Sequence, residues 1–338
     1  MLHARLAVLL VSGLWLDTQA VAQFGISGPY SHESLSVFLI HRSAPTWTDG
    51  GITPSTVHYL TLEQAMNQKK VLVHETNQVN ELAVENISNE AIFIQAGDIV
   101  KGGNQDRMIT NDFILSPHSG KLPIAAFCVE QGRWGQRGNE PARQFSASTE
   151  SAALTFDPRS TWNQASVWRK VAELQDALAS HLRNQKSATG LAGVLAPTSP
   201  SSLLLTQTSP PVEEAVSAYT KSLASVAQRS TDVVEYALAL NGQVKGADLY
   251  ASPELFRSMW PKLLRSSAVE ALRLGHQGNN SPGNAAGVVA FLRGTNSNQE
   301  TTTAVDGRTK LAKRDSLHQS WVESRDGITW VHRSVVKK

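Results

Sequence analysis

Glycine, amide, acid and base crowd into one stretch of this chain, Ala96-Gly-Asp-Ile-Val-Lys-Gly-Gly-Asn-Gln-Asp-Arg107, and a second polar group follows it, Cys128-Val-Glu-Gln-Gly-Arg-Trp134. Gly102 and Gly103 open backbone conformations closed to other residues and bare their N–H groups. Gln105 adds an amide, and Asp106 and Glu130 are carboxylates that can serve as acid or base. Arg107 and Arg133 are planar cations suited to a phosphate or a carboxylate, and Trp134 offers an aromatic face. One reading makes Asp106 and Glu130 catalytic, with Gly102, Gly103, Gln105, Arg107, Arg133 and Trp134 holding an anionic ligand. The other makes the cluster a brace: Arg107 and Glu130 pair between strands, Gly102-Gly103 is a bulge and Trp134 is core. Both stay open on the sequence.

The glycine spacing matches neither a phosphate loop nor a dinucleotide fingerprint, and no Gly-x-Ser-x-Gly elbow occurs. The ten histidines contain no His-Glu-x-x-His and no paired ligand spacing, so no metal site is expected and no cofactor is identified. His41, His58 and His74 lie in or near strands, where satisfied or exposed roles are expected.

The elements that must position these residues read as α+β, a largely antiparallel or mixed sheet with packed helices. A strand-rich half, 33–134, contains short branched or aromatic runs at 36–42, 71–75, 81–85, 91–95, 108–115 and 123–129, bounded by turn formers. Thr61 with Gln64 marks a capping box for a short helix through Asn67. Residues 135–230 read as a helical insertion with long loops. Residues 135–159 form a loop closing over whatever Trp134 leads into, and Val167, Val171, Leu174, Leu178 and Leu182 define an amphipathic helix. A Ser/Thr/Pro-rich linker spans 187–211, and a helix runs from Pro211 to about Gln228. The last part, 231–338, opens with Val233–Leu240, Asn241-Gly242 and Gln243–Tyr250, a hairpin with a tight-turn signal. Ser252-Pro253 then starts a helix to about Leu274 through Pro261. Four alternating segments follow at 301–305, 308–312, 317–323 and 328–332, and Val335–Lys338 reads as a solvated tail.

The N-terminus carries Arg5, an apolar run from Leu6 to Leu16 and the small-x-small pair Ala20 and Ala22, the order of a signal peptide cleaved before Gln23. Residues 1–22 are therefore excluded from the fold, and 23–338 is read as one large α+β domain outside the cytoplasm, periplasmic or secreted. No later stretch is long and apolar enough to span a membrane. The chain has 338 residues, 41% hydrophobic and 18% charged, which excludes disorder; 31 basic against 29 acidic residues leave +2, too even for a nucleic-acid binder. Cys128 is the single cysteine, expected to be buried and inert. The oligomeric state is not encoded in any of these patterns.

Gly97-Asp-Ile-Val-Lys-Gly-Gly-Asn-Gln-Asp-Arg107 followed by Val129-Glu-Gln-Gly-Arg-Trp134 resembles the core signature of the ARG and Rhodanese-Phosphatase-superfamily-associated protein domain family. Gln164-x-x-x-Trp168 and Val244–Tyr250 with the helix after Ser252 resemble its later landmarks. The resemblance implies a neighbourhood of ADP-ribose or phosphoester metabolism and no particular reaction. Two function classes follow. One is an exported ligand-binding module with an anion-binding cleft; the alternative is a hydrolase on a phosphorylated or ADP-ribose-like compound.

Overall fold

A computed structural model describes residues 25–42, 53–140, 144–151, 163–184, 191–276, 282–293, 300–303, 309–314, 317–323 and 329–337. The expected signal peptide lies outside them. Helices and mainly antiparallel sheets make the fold α+β. The largest sheet holds β1 (Ile26–His32), β2 (Leu35–His41), β13 (Val233–Leu240), β14 (Gln243–Tyr250), β18 (Thr329–Lys337), β17 (Leu317–Glu323), β16 (Thr309–Arg314) and β15 (Glu300–Thr303), in that order, with β3 (Thr53–Pro54) parallel to β18. A second sheet runs β10 (Phe113–Leu115), β7 (Ala91–Ile94), β4 (Tyr59–Thr61). The third, which carries the polar cluster, runs β12 (Phe145–Ser151), β8 (Asp98–Gly102), β9 (Arg107–Ile109), β11 (Gly120–Cys128), β6 (Glu81–Asn86), β5 (Val71–Glu75).

The local signals with a clear mechanism hold. Thr61 Oγ1 accepts from Gln64 N and Gln64 Oε1 accepts from Thr61 N, closing the capping box of α1 (Leu62–Asn67). Asn241-Gly242, both at positive φ, turns β13 into β14, and Ser252 caps the helix whose first residue is Pro253. In α2 (Gln164–Asn184) the five periodic side chains from Val167 to Leu182 are all buried, each stabilising by about 1.5–3 kcal/mol over exposure. Two short helices, α3 (Leu191–Val194) and α4 (Leu203–Gln207), precede α5 (Pro210–Leu223) and a 3-10 turn (Ala224–Gln228). The long α6 (Pro253–Leu274) runs through Pro261 and packs on β2, β4, β12, β13 and β14, joining the sheets around one apolar core. The outer face of β2, β13 and β14 is covered by α7 (Ala285–Arg293), a helix with no expectation from its sequence.

Four expectations need correction. The run 108–115 is two strands in different sheets, because Asp112 leaves the ladder to accept from Ala96 N and to pair with His332. The 187–211 linker contains α3 and α4; Ser202 caps α4 and buries Leu203 and Leu204. The 135–159 loop contains β12, whose Ser and Ala residues lack the branched strand signature but pair with β8. The tail is not solvated: Val335 and Val336 are buried in β18, held by β14 on one side and β17 on the other.

The landmark segment Val244–Tyr250 has a structural role. Asp248 and Asp112 hold His332 from its two ring nitrogens at 3.2 and 2.8 Å, all three fully buried between the large sheet and the β10-β7-β4 sheet. Tyr250 packs on the imidazole and donates to Gln95. Burial alone would lower the His332 pKa; the carboxylates outweigh it and push it to about 9.

Candidate functional site

The cluster forms where β8 and β9 turn. Val100 pairs with Arg107, Arg107 pairs in turn with Cys128 at the end of β11, and Gly102 pairs with Phe145 of β12. Both glycines are required here. A Cβ on Gly102, at φ 122°, would stand 2.2 Å from the Gln144 carbonyl oxygen, and one on Gly103, at φ 55°, would stand 2.2 Å from the Phe145 ring. The tight approach folds residues 103–106 back so that Asp106 and Arg107 point inward.

Asp106 is fully buried and saturated. Its Oδ1 accepts from Gly102 N at 2.9 Å and from Arg137 and Arg133; its Oδ2 accepts from Arg137 Nη1 at 2.8 Å and Ser202 Oγ at 3.1 Å. Burial, helped by the nearby Glu130 charge, still raises its pKa against the pull of Arg137. Glu130, also buried, takes Arg137 at 3.0 Å, Arg133 at 2.5 Å and Asp106 N at 3.1 Å. Burial alone would raise its pKa, but the hydrogen bonds from Arg133, Ser199 and the Asp106 backbone hold it below the usual carboxylate range.

Arg107, fully buried, pairs with Glu75 at 3.3 Å and donates to Gln105 O, while Gln105 donates to Glu130 O. The expected Arg107–Glu130 pair is thus replaced: β5 presents Glu75 to Arg107, and the loop after β11 returns two arginines to Glu130. Arg133 Nη1 and Nη2 also donate to the carbonyls of Gly103, Gly135 and Gly102. Trp134 is not core. It is 51% exposed, its ring covering Arg107 with the guanidinium carbon 5.4 Å from the centroid. Cys128 is buried as expected, and burial pushes its thiol up to about 11.

Two donors of this cluster are left over. Among the described residues, Nε of Arg107 and Nε of Arg133 are buried without a hydrogen-bond partner, although the other nitrogens of both guanidiniums are engaged. A buried donor left open costs about 1–3 kcal/mol, more for a charged group. Charge within the cluster is balanced. Lys101, Arg107, Arg133 and Arg137 are paired with Glu75, Asp106, Glu130 and Glu140.

Glu75, Arg137 and Ser202 had no place in the sequence reading. Arg137 had a weak signal, as a further arginine in the same glycine-rich loop as Arg133; Glu75 and Ser202 come from distant elements and had none. Gln164 does have a structural role: its amide accepts from Cys128 N and donates to Cys128 O, extending the end of β11. No metal-binding group of three or more His, Cys, Asp or Glu occurs among the described residues. His41, His58 and His74 each pair with a carboxylate.

Fold and cluster together define a class: an α+β protein in which Arg133 and Arg137 grip two buried carboxylates, Asp106 and Glu130, while Arg107 pairs with Glu75 beneath an exposed tryptophan. The chain belongs to the ARG and Rhodanese-Phosphatase-superfamily-associated Protein domain family, whose match covers residues 23–336. No curated protein and no solved structure gives a significant match to it. Among the described residues no helix is long and apolar enough to cross a membrane.

Proposed function

We propose that this protein is exported and acts as a ligand-binding module, with an anionic group of the ligand received by Arg107 and Arg133 and its flat body by Trp134. The observation that carries this is the pair of buried, open Nε–H donors beside an exposed aromatic ring. A brace has no use for a tryptophan half in water or for two uncompensated donors, whereas a ligand oxygen would satisfy them. On this reading the Trp134 ring, which covers Arg107, has to move aside for the anion to reach the Nε–H groups. The hydrolase reading is less well supported, because Asp106 and Glu130 spend both oxygens on protein donors and have no exposed surface. Export is supported by the order of charge, apolar run and small residues before Gln23, and by a family match that starts at residue 23.

The test is a calorimetric and thermal-shift screen of chain 23–338 against ADP-ribose, nucleotides, sugar phosphates and acidic glycans. Binding lost in Trp134→Ala, with the melting temperature nearly unchanged, is the expected result. Binding that survives Trp134→Ala, or turnover of a screened compound that Glu130→Gln abolishes, would overturn the module.

A further inference from the structure

The cluster already holds an anion of its own, and the way it does so narrows what a ligand must carry, an inference that rests on the binding reading above. The Glu75 carboxylate lies against the Gly102-Gly103 turn, where a Cβ on Gly103 would come within 2.8 Å of its Oε2. Oε2 accepts from the Asn104 N–H at 2.9 Å, and Oε1 accepts from Arg107 Nη2 at 3.3 Å. A backbone N–H, a guanidinium and a bare glycine thus surround one carboxylate, here supplied by the chain itself. The fit is poor on the arginine side. Nε–H and Nη2–H form one edge of the planar guanidinium and point the same way, so a well-placed carboxylate takes both. Glu75 takes only Nη2, and Arg107 Nε is buried without a partner. The three bonds donated by this guanidinium are long, 3.2, 3.4 and 3.3 Å, whereas Arg137 holds Asp106 and Glu130 at 2.8 and 3.0 Å.

Charge decides what replaces Glu75. Each cation of the cluster is paired with a carboxylate, so a singly charged group that displaces Glu75 leaves the buried charge unchanged. A phosphate monoester, about −1.5 to −2 at neutral pH, would leave an excess of buried negative charge. The resident group is also planar with two oxygens, the shape that the Arg107 edge and the Asn104 N–H accept. β5 is the last strand of its sheet, Glu75 is its last residue, and residues 77–80 beyond it are exposed, so the displaced side chain has solvent to turn into. We infer that Glu75 is an internal stand-in for the ligand: it closes a carboxylate site on Arg107 and Asn104 and gives way to a ligand carboxylate that spans Nε–H and Nη2–H together. The same contact is autoinhibitory, because every anion that binds there competes with it.

The experiment titrates chain 23–338, as the parent, Glu75→Ala and Glu75→Gln, with sodium acetate and sodium phosphate against sodium chloride at matched ionic strength, and reads the melting temperature. Glu75→Ala vacates the site. It is expected to melt below the parent in chloride and to recover in acetate, which supplies the missing carboxylate. Glu75→Gln keeps the shape of the side chain without its charge, so the test stays readable if the alanine variant fails to fold. In either variant acetate is expected to act at a concentration at least about tenfold lower than in the parent, the equivalent of one charge-assisted hydrogen bond no longer competing. Variants that answer acetate no more strongly than the parent does, or no more strongly than they answer chloride, would overturn the displacement. Stabilisation by phosphate at a lower concentration than by acetate would overturn the carboxylate class. Neither result decides the module reading, which stands or falls on Trp134→Ala in the wider screen.

Discussion

Glu235, in β13, is 1% exposed, and among the described residues its Oε1 has no hydrogen-bond partner. Burial, with a contribution from Asp248 on the neighbouring strand, pushes its pKa from 4.5 to about 8. The folded chain therefore keeps a proton that the unfolded chain releases above 4.5. Stability from this group is fully present below that value and is lost as pH rises to about 8. At 1.36 kcal/mol per pH unit the interval from 4.5 to 8 corresponds to about 5 kcal/mol. Glu235→Gln keeps the shape and cannot ionise, but it buries an amide in place of a neutral acid, a cost of about 1–3 kcal/mol. The variant is thus expected to be about 1–3 kcal/mol less stable than the parent at pH 4.5 and about 2–4 kcal/mol more stable at pH 8. Urea unfolding of both chains across that range measures the difference directly, with other carboxylates cancelling between them. A difference that stays constant with pH would refute the reasoning.

His332 gives the complementary case: its stabilisation is complete below 6.5 and declines as pH passes about 9, a loss of about 3 kcal/mol visible in thermal melts as alkaline destabilisation. His332→Gln, which leaves Asp112 and Asp248 buried without their cation, should cost about 3–5 kcal/mol at neutral pH; a melt within a degree of the parent would contradict the ion triad. Gly102→Ala must leave φ 122° or strike the Gln144 carbonyl, so a loss of at least about 1–3 kcal/mol is expected, and unchanged unfolding would show that β8 and β12 do not approach as described. Cys128→Ser should lower stability modestly and leave ligand binding intact. The parent thiol, buried and raised to about 11, should resist a bulky thiol reagent until the chain unfolds.

What could be read from the sequence was local. The capping box at Thr61, the Asn241-Gly242 turn and the Ser252-Pro253 helix start are each decided within a few residues, and each stands where the pattern put it. The cluster segment was legible for the same reason, since glycine, amide and charge crowd two short runs. Pairing was not legible. That Arg107 meets Glu75 and not Glu130 depends on β5 lying at the far edge of a sheet whose order no periodicity encodes. The break at Thr110–Asp112 is likewise set by His332, which lies in β18, far along the chain. The exposure of Trp134 depends on a loop in which Arg137 returns to the interior, leaving the neighbouring ring outside.

The central claim is that the Nε–H groups of Arg107 and Arg133 are donors awaiting a ligand oxygen. Arginine Nε–H correlations in the proton–nitrogen spectrum of chain 23–338, assigned with Arg107→Lys and Arg133→Lys, follow those groups one by one during titration with acetate and with methyl phosphate. The account predicts that both resonances move in a saturable way with one of these anions while the Arg137 resonance, already committed to Glu140, stays in place. Resonances of Arg107 and Arg133 that stay fixed at saturating anion would contradict it.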